Sequence, residues 1–115
     1  MSFQELEFNP IVVRGLERQG FIEPTAIQAQ TARPITEGRD LIGLAPTGTC
    51  KTLAYLAPVA DRLLAHRPPR TPVSSRLRGL VLTPTRELAI QVAHEAEELT
   101  KGSVLRVMSI YGGVS

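Results

Sequence analysis

The chain has 115 residues, of which 43% are hydrophobic and 21% charged, with a formal net charge of +2. These proportions are typical of a folded globular domain and exclude a disordered tail, and so small a net charge selects no class of partner. The single cysteine, Cys50, excludes an internal disulfide framework and favours a reducing compartment, so we expect a cytoplasmic protein. No apolar run approaches the roughly 20 residues of a membrane span, so we expect no membrane association.

Two helices are predicted before the first strand. An N-cap pattern at Asn9 predicts a helix near residues 10–19. A capping-box pattern, Thr25 with Gln28 three residues later, predicts a second helix that runs to about residue 37. A glycine follows each of these stretches, as is usual where helices end.

The rest of the chain alternates apolar runs with helical patterns. Strands are predicted for the short apolar runs at 41–45, 79–83 and 104–110, and helices for 51–65 and 86–101. The stretch 66–78 is rich in Pro, Ser and Arg and is expected to be an exposed loop. The order β-α-β-α-β predicts an α/β fold in which helices flank a three-strand parallel sheet with right-handed crossovers.

The turn between the first strand and the third helix has the composition of a phosphate-binding loop. Such a loop needs small residues whose N–H groups point inward, a lysine for the outer phosphates and a hydroxyl for Mg²⁺. Lys51 and Thr52 supply the last two. The candidate nucleotide-binding residues here are Ala45, Pro46, Thr47, Gly48, Thr49, Cys50, Lys51 and Thr52. The strict pattern GxxxxGK[ST] fails at Ala45 and Cys50, so a chance turn between strand and helix stays an alternative.

Four stretches together resemble the motifs of the DEAD-box helicases. The phosphate loop resembles their motif I, AxTGxGKT, from which only Cys50 departs. Residues 20–28, GFIEPTAIQ, resemble the family's Q motif, and residues 84–89, PTRELA, resemble its motif Ia. Gly112 and Gly113 resemble a glycine doublet that lies along the RNA path of the family. The resemblance covers essentially the whole chain.

The resemblance implies the N-terminal part of the first RecA-like domain of an ATP-dependent RNA helicase. A helical Q-motif segment would occupy residues 1–38 and a P-loop core residues 39–115. ATP and Mg²⁺ would be the cofactors and RNA the partner, while the oligomeric state stays unassigned. Lys51 would neutralise the β- and γ-phosphates and Thr52 would ligate Mg²⁺, which makes these two the candidate catalytic residues.

Gln28 has two interpretations. The Q motif implies that its amide bonds the edge of adenine, with Phe21 packing on the base and Thr25 also close to the nucleotide. The alternative is that Gln28 serves only as the capping-box partner of Thr25.

The RNA-binding candidates also have a simpler interpretation. Pro84, Thr85 and Arg86 are a plausible helix start, and a helix start is also an anion site that holds an RNA phosphate without selecting sequence. Gly112 and Gly113 are either a plain turn or a place where a nucleic-acid backbone approaches closely.

The residues that complete hydrolysis in this family come from the later Asp-Glu-Ala-Asp motif and a second domain, and the chain ends before them. We therefore expect the 115 residues alone to be inactive as an ATPase. A three-strand sheet with uncovered edges and faces also predicts marginal stability or aggregation. Two alternative functions stay open, a non-catalytic adenine-nucleotide or RNA-binding module and another P-loop enzyme such as a kinase.

Cys50 is the one departure that bears directly on ATP. If the loop requires a positive φ at this position, a Cβ costs roughly 1–2 kcal/mol there. The sequence therefore predicts weak ATP binding that a glycine at position 50 restores.

Overall fold

A computed structural model describes residues 2–46, 50–66 and 77–113. Their regular structure is a short 3₁₀ turn at Gln4–Leu6 followed by four α-helices. The helices are α1 (Pro10–Arg18), α2 (Ala26–Thr36), α3 (Lys51–Ala65) and α4 (Arg86–Thr100). All four were predicted from the sequence, and their bounds are confirmed to within about one residue. No helix in these ranges combines the length and the apolar content needed to cross a membrane.

Side-chain caps explain where three of the helices begin. Asn9 Oδ1 accepts a hydrogen bond from the Ile11 N–H at 2.9 Å before α1. The predicted capping box of α2 is present, with the Thr25 hydroxyl accepting from the Gln28 N–H and the Gln28 side chain accepting from the Thr25 N–H. Ahead of α4, the Thr85 hydroxyl accepts from the backbone N–H of the third helical residue at 3.1 Å. These caps satisfy helical N–H groups that have no partner within the helix.

One hydrophobic core joins the four helices. α2 packs along α3, α1 packs on α4, and α3 contacts both α1 and α4. The core combines the apolar faces of these helices with two phenylalanines near the N-terminus; its members are Phe3, Phe8, Val12, Val13, Leu16, Ala32, Leu53, Leu56, Ala57, Ala60, Val92 and Leu99. The arrangement brings the starts of α2 and α3 together.

The predicted α/β sheet is wrong for the part of the chain that the structure describes. Across residues 2–46, 50–66 and 77–113 the regular elements are helices, and no strand is formed. The runs at 41–45, 79–83 and 104–110 follow irregular paths without backbone hydrogen bonds to one another. Most of their apolar side chains are exposed, and Ile42 and Leu44 are each 90% exposed.

The difference between helices and strands follows from where their hydrogen bonds come from. A helix bonds each N–H to a carbonyl four residues earlier, so it forms from one continuous stretch of sequence. A parallel strand bonds only to strands far away in the sequence and gains its side-chain burial from helices on both faces. The apolar runs have the composition of strands, but composition alone provides neither a neighbouring strand to bond to nor helices to cover both faces.

Candidate nucleotide and RNA sites

The start of α3 differs from the starts of the other three α-helices. Cys50 is its N-cap residue and makes no capping hydrogen bond through its side chain. Lys51 is exposed and Thr52 half-buried in the first turn that follows. An uncapped helix start presents N–H groups and the positive end of the helix dipole, which together attract anions. Chemically, this end of α3 suits a phosphate group.

Cys50 lies in the left-handed region of backbone conformation, with φ 55° and ψ 54°. Position 50 thus has the positive φ at which a Cβ is unfavourable, and Cys50 carries a Cβ. Ala45 and Pro46 precede the loop and are half-buried and exposed, respectively. The predicted loop residues Thr47, Gly48 and Thr49 lie outside the described residues.

Gln28 connects the start of α2 to the start of α3. Its Oε1 accepts from the Thr25 N–H at 2.9 Å, and its Nε2 donates to the Cys50 carbonyl at 3.2 Å. Three residues further along α2, the Thr31 hydroxyl donates to the Ala54 carbonyl at 2.5 Å. Gln28 is 4% exposed. A primary amide has two N–H groups and two carbonyl lone pairs, so these bonds engage only half of its capacity.

The other Q-motif candidates lie near this junction. Phe21 is half-buried and packs against the hydrophobic core. Thr25 is the N-cap of α2, and its hydroxyl accepts from Gln28. The predicted capping box between Thr25 and Gln28 is thus present. The contact of Gln28 with Cys50 also places this side chain beside the candidate phosphate site.

Two titratable side chains that the sequence did not single out, Tyr55 on α3 and Glu95 on α4, have shifted pKa values. Burial raises the pKa of Tyr55 above 10.0, a hydrogen bond with the Thr52 side chain lowers it, and the charge of Glu95 raises it again. Burial likewise raises the pKa of Glu95 above 4.5, partly offset by His94. Glu95 Oε2 is buried without a hydrogen-bond partner in the described structure. The sequence could have indicated Tyr55, because it follows Thr52 by three residues on a predicted helix. No sequence pattern indicated Glu95.

The predicted RNA-binding residues come together at the start of α4. Arg86, the first residue of the helix, donates from Nη2 to the Gly112 carbonyl at 2.8 Å. Its guanidinium carbon also lies 5.6 Å from the centre of the Tyr111 ring, a cation–π distance. Gly113 has φ +82°, and a Cβ at this position would lie 2.5 Å from Arg86 Nη2. The backbone conformation therefore favours glycine at the second position of the doublet, and a Cβ there would displace the flexible end of the Arg86 side chain.

Pro84 and Thr85 are exposed beside Arg86. Thr85 caps the helix, as the simpler interpretation predicted, and the helix start is open to solvent. Arg86, Gly112 and Gly113 thus form one exposed patch at the start of α4. In the described residues, no group of three or more His, Cys, Asp or Glu side chains is arranged to hold a metal ion by itself.

Comparisons with known proteins agree with this arrangement of motifs. The family model for the DEAD/DEAH box helicase matches residues 25–115. The chain is 48% identical to the ATP-dependent RNA helicase SrmB of Escherichia coli, over 99% of this chain and 25% of that protein. It is 39% identical to the DEAD-box ATP-dependent RNA helicase CshA of Bacillus cereus, over 97% of this chain and 20% of that protein. The chain thus spans about a quarter or less of these relatives.

Solved structures give the same result. A DEAD box protein from the hyperthermophile Methanococcus jannaschii superposes with a TM-score of 0.85 at 32% identity, over 100% of this chain and 30% of that one. The RNA-helicase Prp28 from Chaetomium thermophilum, solved bound to ADP, superposes with a TM-score of 0.78 at 32% identity, over 99% of this chain and 27% of that one. With its motifs, its sequence and its backbone path in agreement, the chain belongs to the DEAD/DEAH box helicase family.

Proposed function

We propose that this chain is the ATP- and RNA-contacting N-terminal part of an ATP-dependent RNA helicase. The observation that carries the proposal is the start of α3, where an uncapped helix terminus, Lys51 and Thr52 adjoin the buried amide of Gln28. This arrangement combines a group suited to phosphate with a group suited to a base edge, as a nucleotide requires. The similarity to named RNA helicases supports the same function for the longer protein.

The proposed roles at the nucleotide site follow the chemistry of each group. Lys51 would neutralise the outer phosphates, and residues 45–52, apart from Pro46, would surround them with backbone N–H groups. Gln28 would offer its remaining N–H and lone pair to adenine, while Phe21 and Thr25 shape the base pocket.

Magnesium fits this donor set. Thr52 supplies a neutral oxygen at the helix start, and Mg²⁺ bound with ATP normally takes few protein ligands beyond such a hydroxyl and the phosphates. Bound ATP with Mg²⁺ would supply the phosphoryl group whose transfer to water drives RNA remodelling.

RNA would contact the patch at the start of α4. Arg86 and the exposed N-terminus of α4 are a positive, sequence-independent phosphate site, and Gly112 and Gly113 allow a backbone to approach it. Pro84 and Thr85 complete the helix start. We assign residues 1–38 to a Q-motif segment and 39–115 to the P-loop part as elements of the same proposal, together with a cytoplasmic location.

The nucleotide proposal is tested by equilibrium binding of fluorescent ATP and GTP analogues to the purified chain. We expect selective binding of ATP that Lys51→Ala abolishes. Gln28→Glu keeps an oxygen for the Thr25 N–H but loses the amide donor, so it should keep the helix cap while losing adenine selectivity. Gln28→Ala should lose both the cap and the selectivity. Equal affinity for ATP and GTP in the unmodified chain would contradict the assignment of Gln28.

RNA binding and turnover separate the enzyme from a pure binding module. Arg86→Ala should weaken binding of single-stranded RNA about equally for all sequences and reduce the salt slope by about 1. We expect no RNA-stimulated hydrolysis from the 115 residues alone, and a rate that Lys51→Ala removes would show that they already hold a catalytic set.

A further inference from the structure

The side chain of Arg86 is held at two points by the segment that follows the apolar run at 104–110. Its Nη2 donates to the Gly112 carbonyl at 2.8 Å, and its guanidinium carbon lies 5.6 Å from the centre of the Tyr111 ring. The hydrogen bond spans 26 residues of sequence, so local helix geometry does not account for it. A Cβ at Gly113 would lie 2.5 Å from the same Nη2. Residues 111–113 therefore all border one guanidinium.

The backbone of Arg86 is fixed independently of its side chain. Arg86 is the first residue of α4, and Thr85 caps that helix. The side chain itself is long and exposed. An unrestrained arginine samples many rotamers and loses that freedom when it binds a phosphate, which lowers its affinity. Contact with the Tyr111 ring and the Gly112 carbonyl restricts these rotamers before any ligand is bound.

The two contacts leave most of the donors of this guanidinium available. An arginine has five N–H groups, and in the described part of the chain Arg86 makes one hydrogen bond, to Gly112. A cation–π contact uses the charge of the guanidinium and consumes no N–H donor. The remaining N–H groups can therefore bind two oxygens of one phosphate, the geometry that arginine favours.

We propose that Tyr111 is a positioning residue for Arg86, which it holds in the orientation that binds an RNA phosphate. In this role Tyr111 acts through Arg86 and makes no contact with RNA itself. It lies outside the motif-like stretches, directly before the glycine doublet. The inference rests on the proposed function, because it assigns Arg86 to an RNA phosphate.

The test measures binding of a fluorescein-labelled oligouridylate to the full 115-residue chain by anisotropy, over a series of salt concentrations. Tyr111→Leu removes the aromatic face and keeps an apolar side chain. We expect its RNA affinity to fall about two- to fivefold at every salt concentration, the size of one exposed cation–π contact. Its salt slope should equal that of the parent chain, because Arg86 still reaches the phosphate, whereas Arg86→Ala lowers the slope by about 1. Tyr111→Phe keeps the ring and should bind RNA like the parent chain.

A double-mutant cycle decides whether Tyr111 acts through Arg86. In an Arg86→Ala chain, Tyr111→Leu should cause no further loss of RNA affinity, because the guanidinium that Tyr111 positions is gone. Arg106→Ala provides the matched control background, since Arg106 is an exposed arginine outside the cation–π pair found in the described residues. In that background Tyr111→Leu should keep its full effect.

Circular dichroism verifies the folding of every variant, and Tyr111→Met takes the place of Tyr111→Leu if the latter does not fold. Unchanged RNA affinity in Tyr111→Leu, with binding still weakened by Arg86→Ala, overturns the positioning role and leaves the proposed function standing. An equal loss with and without Arg86 also overturns it, because Tyr111 then contacts RNA directly. RNA affinity that Arg86→Ala does not change, or no RNA binding by the parent chain, overturns the proposed RNA site as well.

Discussion

Cys50 places a side chain where the backbone conformation favours glycine. Its φ of 55° is left-handed, and the residue directly precedes the helix start that we assign to phosphate. A Cβ in this conformation costs roughly 1–2 kcal/mol. Glycine avoids that cost but loses more conformational entropy on folding, about 0.5–1 kcal/mol. The strain outweighs the entropy at this position.

Cys50→Gly should therefore stabilise the chain by up to about 1 kcal/mol and strengthen ATP binding. The free energy of unfolding is measured in urea and the ATP affinity by fluorescence titration. Glu7 provides a matched control, because it is the other described non-glycine residue with positive φ, at 62°, and directly follows the N-terminal 3₁₀ turn. Glu7→Gly should relieve similar strain without changing ATP affinity. Equal ATP affinity before and after Cys50→Gly would refute a role for Cys50 at the phosphate site.

Glu95 makes stability depend on pH in the direction opposite to that of a salt-bridged carboxylate. Burial raises its pKa above 4.5, so the folded chain holds this proton more tightly than the unfolded chain does. Between the ordinary and the raised pKa the folded state binds more protons, and its stability falls as pH rises through that window. The charged group that acts on this carboxyl is His94, which partly offsets the effect of burial on the pKa of Glu95.

Glu95→Gln should consequently raise the midpoint of thermal unfolding more at pH 7 than near pH 4, because only the parent chain loses stability as this carboxyl ionises. Thermal melts of both chains between these values provide the measurement. Glu97→Gln, a change on the same helix at an exposed side chain, should leave the melting profile almost unaltered. A gain from Glu95→Gln that stayed constant across the range would indicate a cause other than burial of charge.

At the scale of whole elements, prediction from sequence succeeded where the determining interactions are local. The start of α2, for example, follows from Thr25 and Gln28, which are three residues apart and satisfy each other's backbone N–H groups. The runs at 41–45, 79–83 and 104–110 were predicted as strands because apolar composition was the only local signal they offer. Strand formation depends on distant partners, and the described residues provide none.

The same distinction applies to the sites. Their chemistry was predictable, since a lysine and a hydroxyl at a helix start suit phosphate wherever they occur. Contacts between residues far apart in the sequence were not predictable. Gln28 meets Cys50 across 22 residues of sequence, and Arg86 meets Gly112 across 26. Motif resemblance named these residues together, but only the packing of the helices brings each pair within hydrogen-bond distance.

The crossing of α1 and α4 depends on Gly15. A Cβ at this position would lie 2.7 Å from the Glu98 carbonyl oxygen and 2.8 Å from the Leu99 Cα. Both are backbone atoms of α4, which cannot move aside as the end of a side chain can. Overpacking of this kind costs about 1–3 kcal/mol, and the helix preference of alanine over glycine returns about 1 kcal/mol.

Gly15→Ala should therefore destabilise the chain by up to about 2 kcal/mol in urea unfolding. The matched control is Gly79→Ala, whose added Cβ would meet only the Leu63 Cδ1, at an ordinary 3.6 Å. That variant should unfold like the parent chain. If Gly15→Ala were neutral, α1 would have to sit farther from α4 than the structure has it.

For the molecule as a whole, self-association depends on the exposed apolar surface of the three runs at 41–45, 79–83 and 104–110. Leu82, Met108 and Ile110 are all more than 80% exposed, in addition to Ile42 and Leu44. The backbone along these runs makes no hydrogen bonds to another described run. Exposed apolar side chains beside unpaired N–H and C=O groups promote strand pairing between molecules. A net charge of +2 provides little repulsion to oppose such contacts.

The 115-residue chain should therefore self-associate at micromolar concentrations, because every copy carries the same unpaired runs. A lysine in the middle of a run blocks pairing by charge, so the double variant Leu82→Lys and Met108→Lys should sediment mainly as a monomer in analytical ultracentrifugation. Ile90→Lys, at an exposed position on α4, adds charge without touching the runs and should associate like the parent chain. If only the double variant sediments as a monomer, the runs cause the association. If Ile90→Lys reduces association equally, the added charge alone explains the effect. A parent chain that is monomeric throughout this range would show that unpaired backbone and exposed apolar side chains do not suffice for association here.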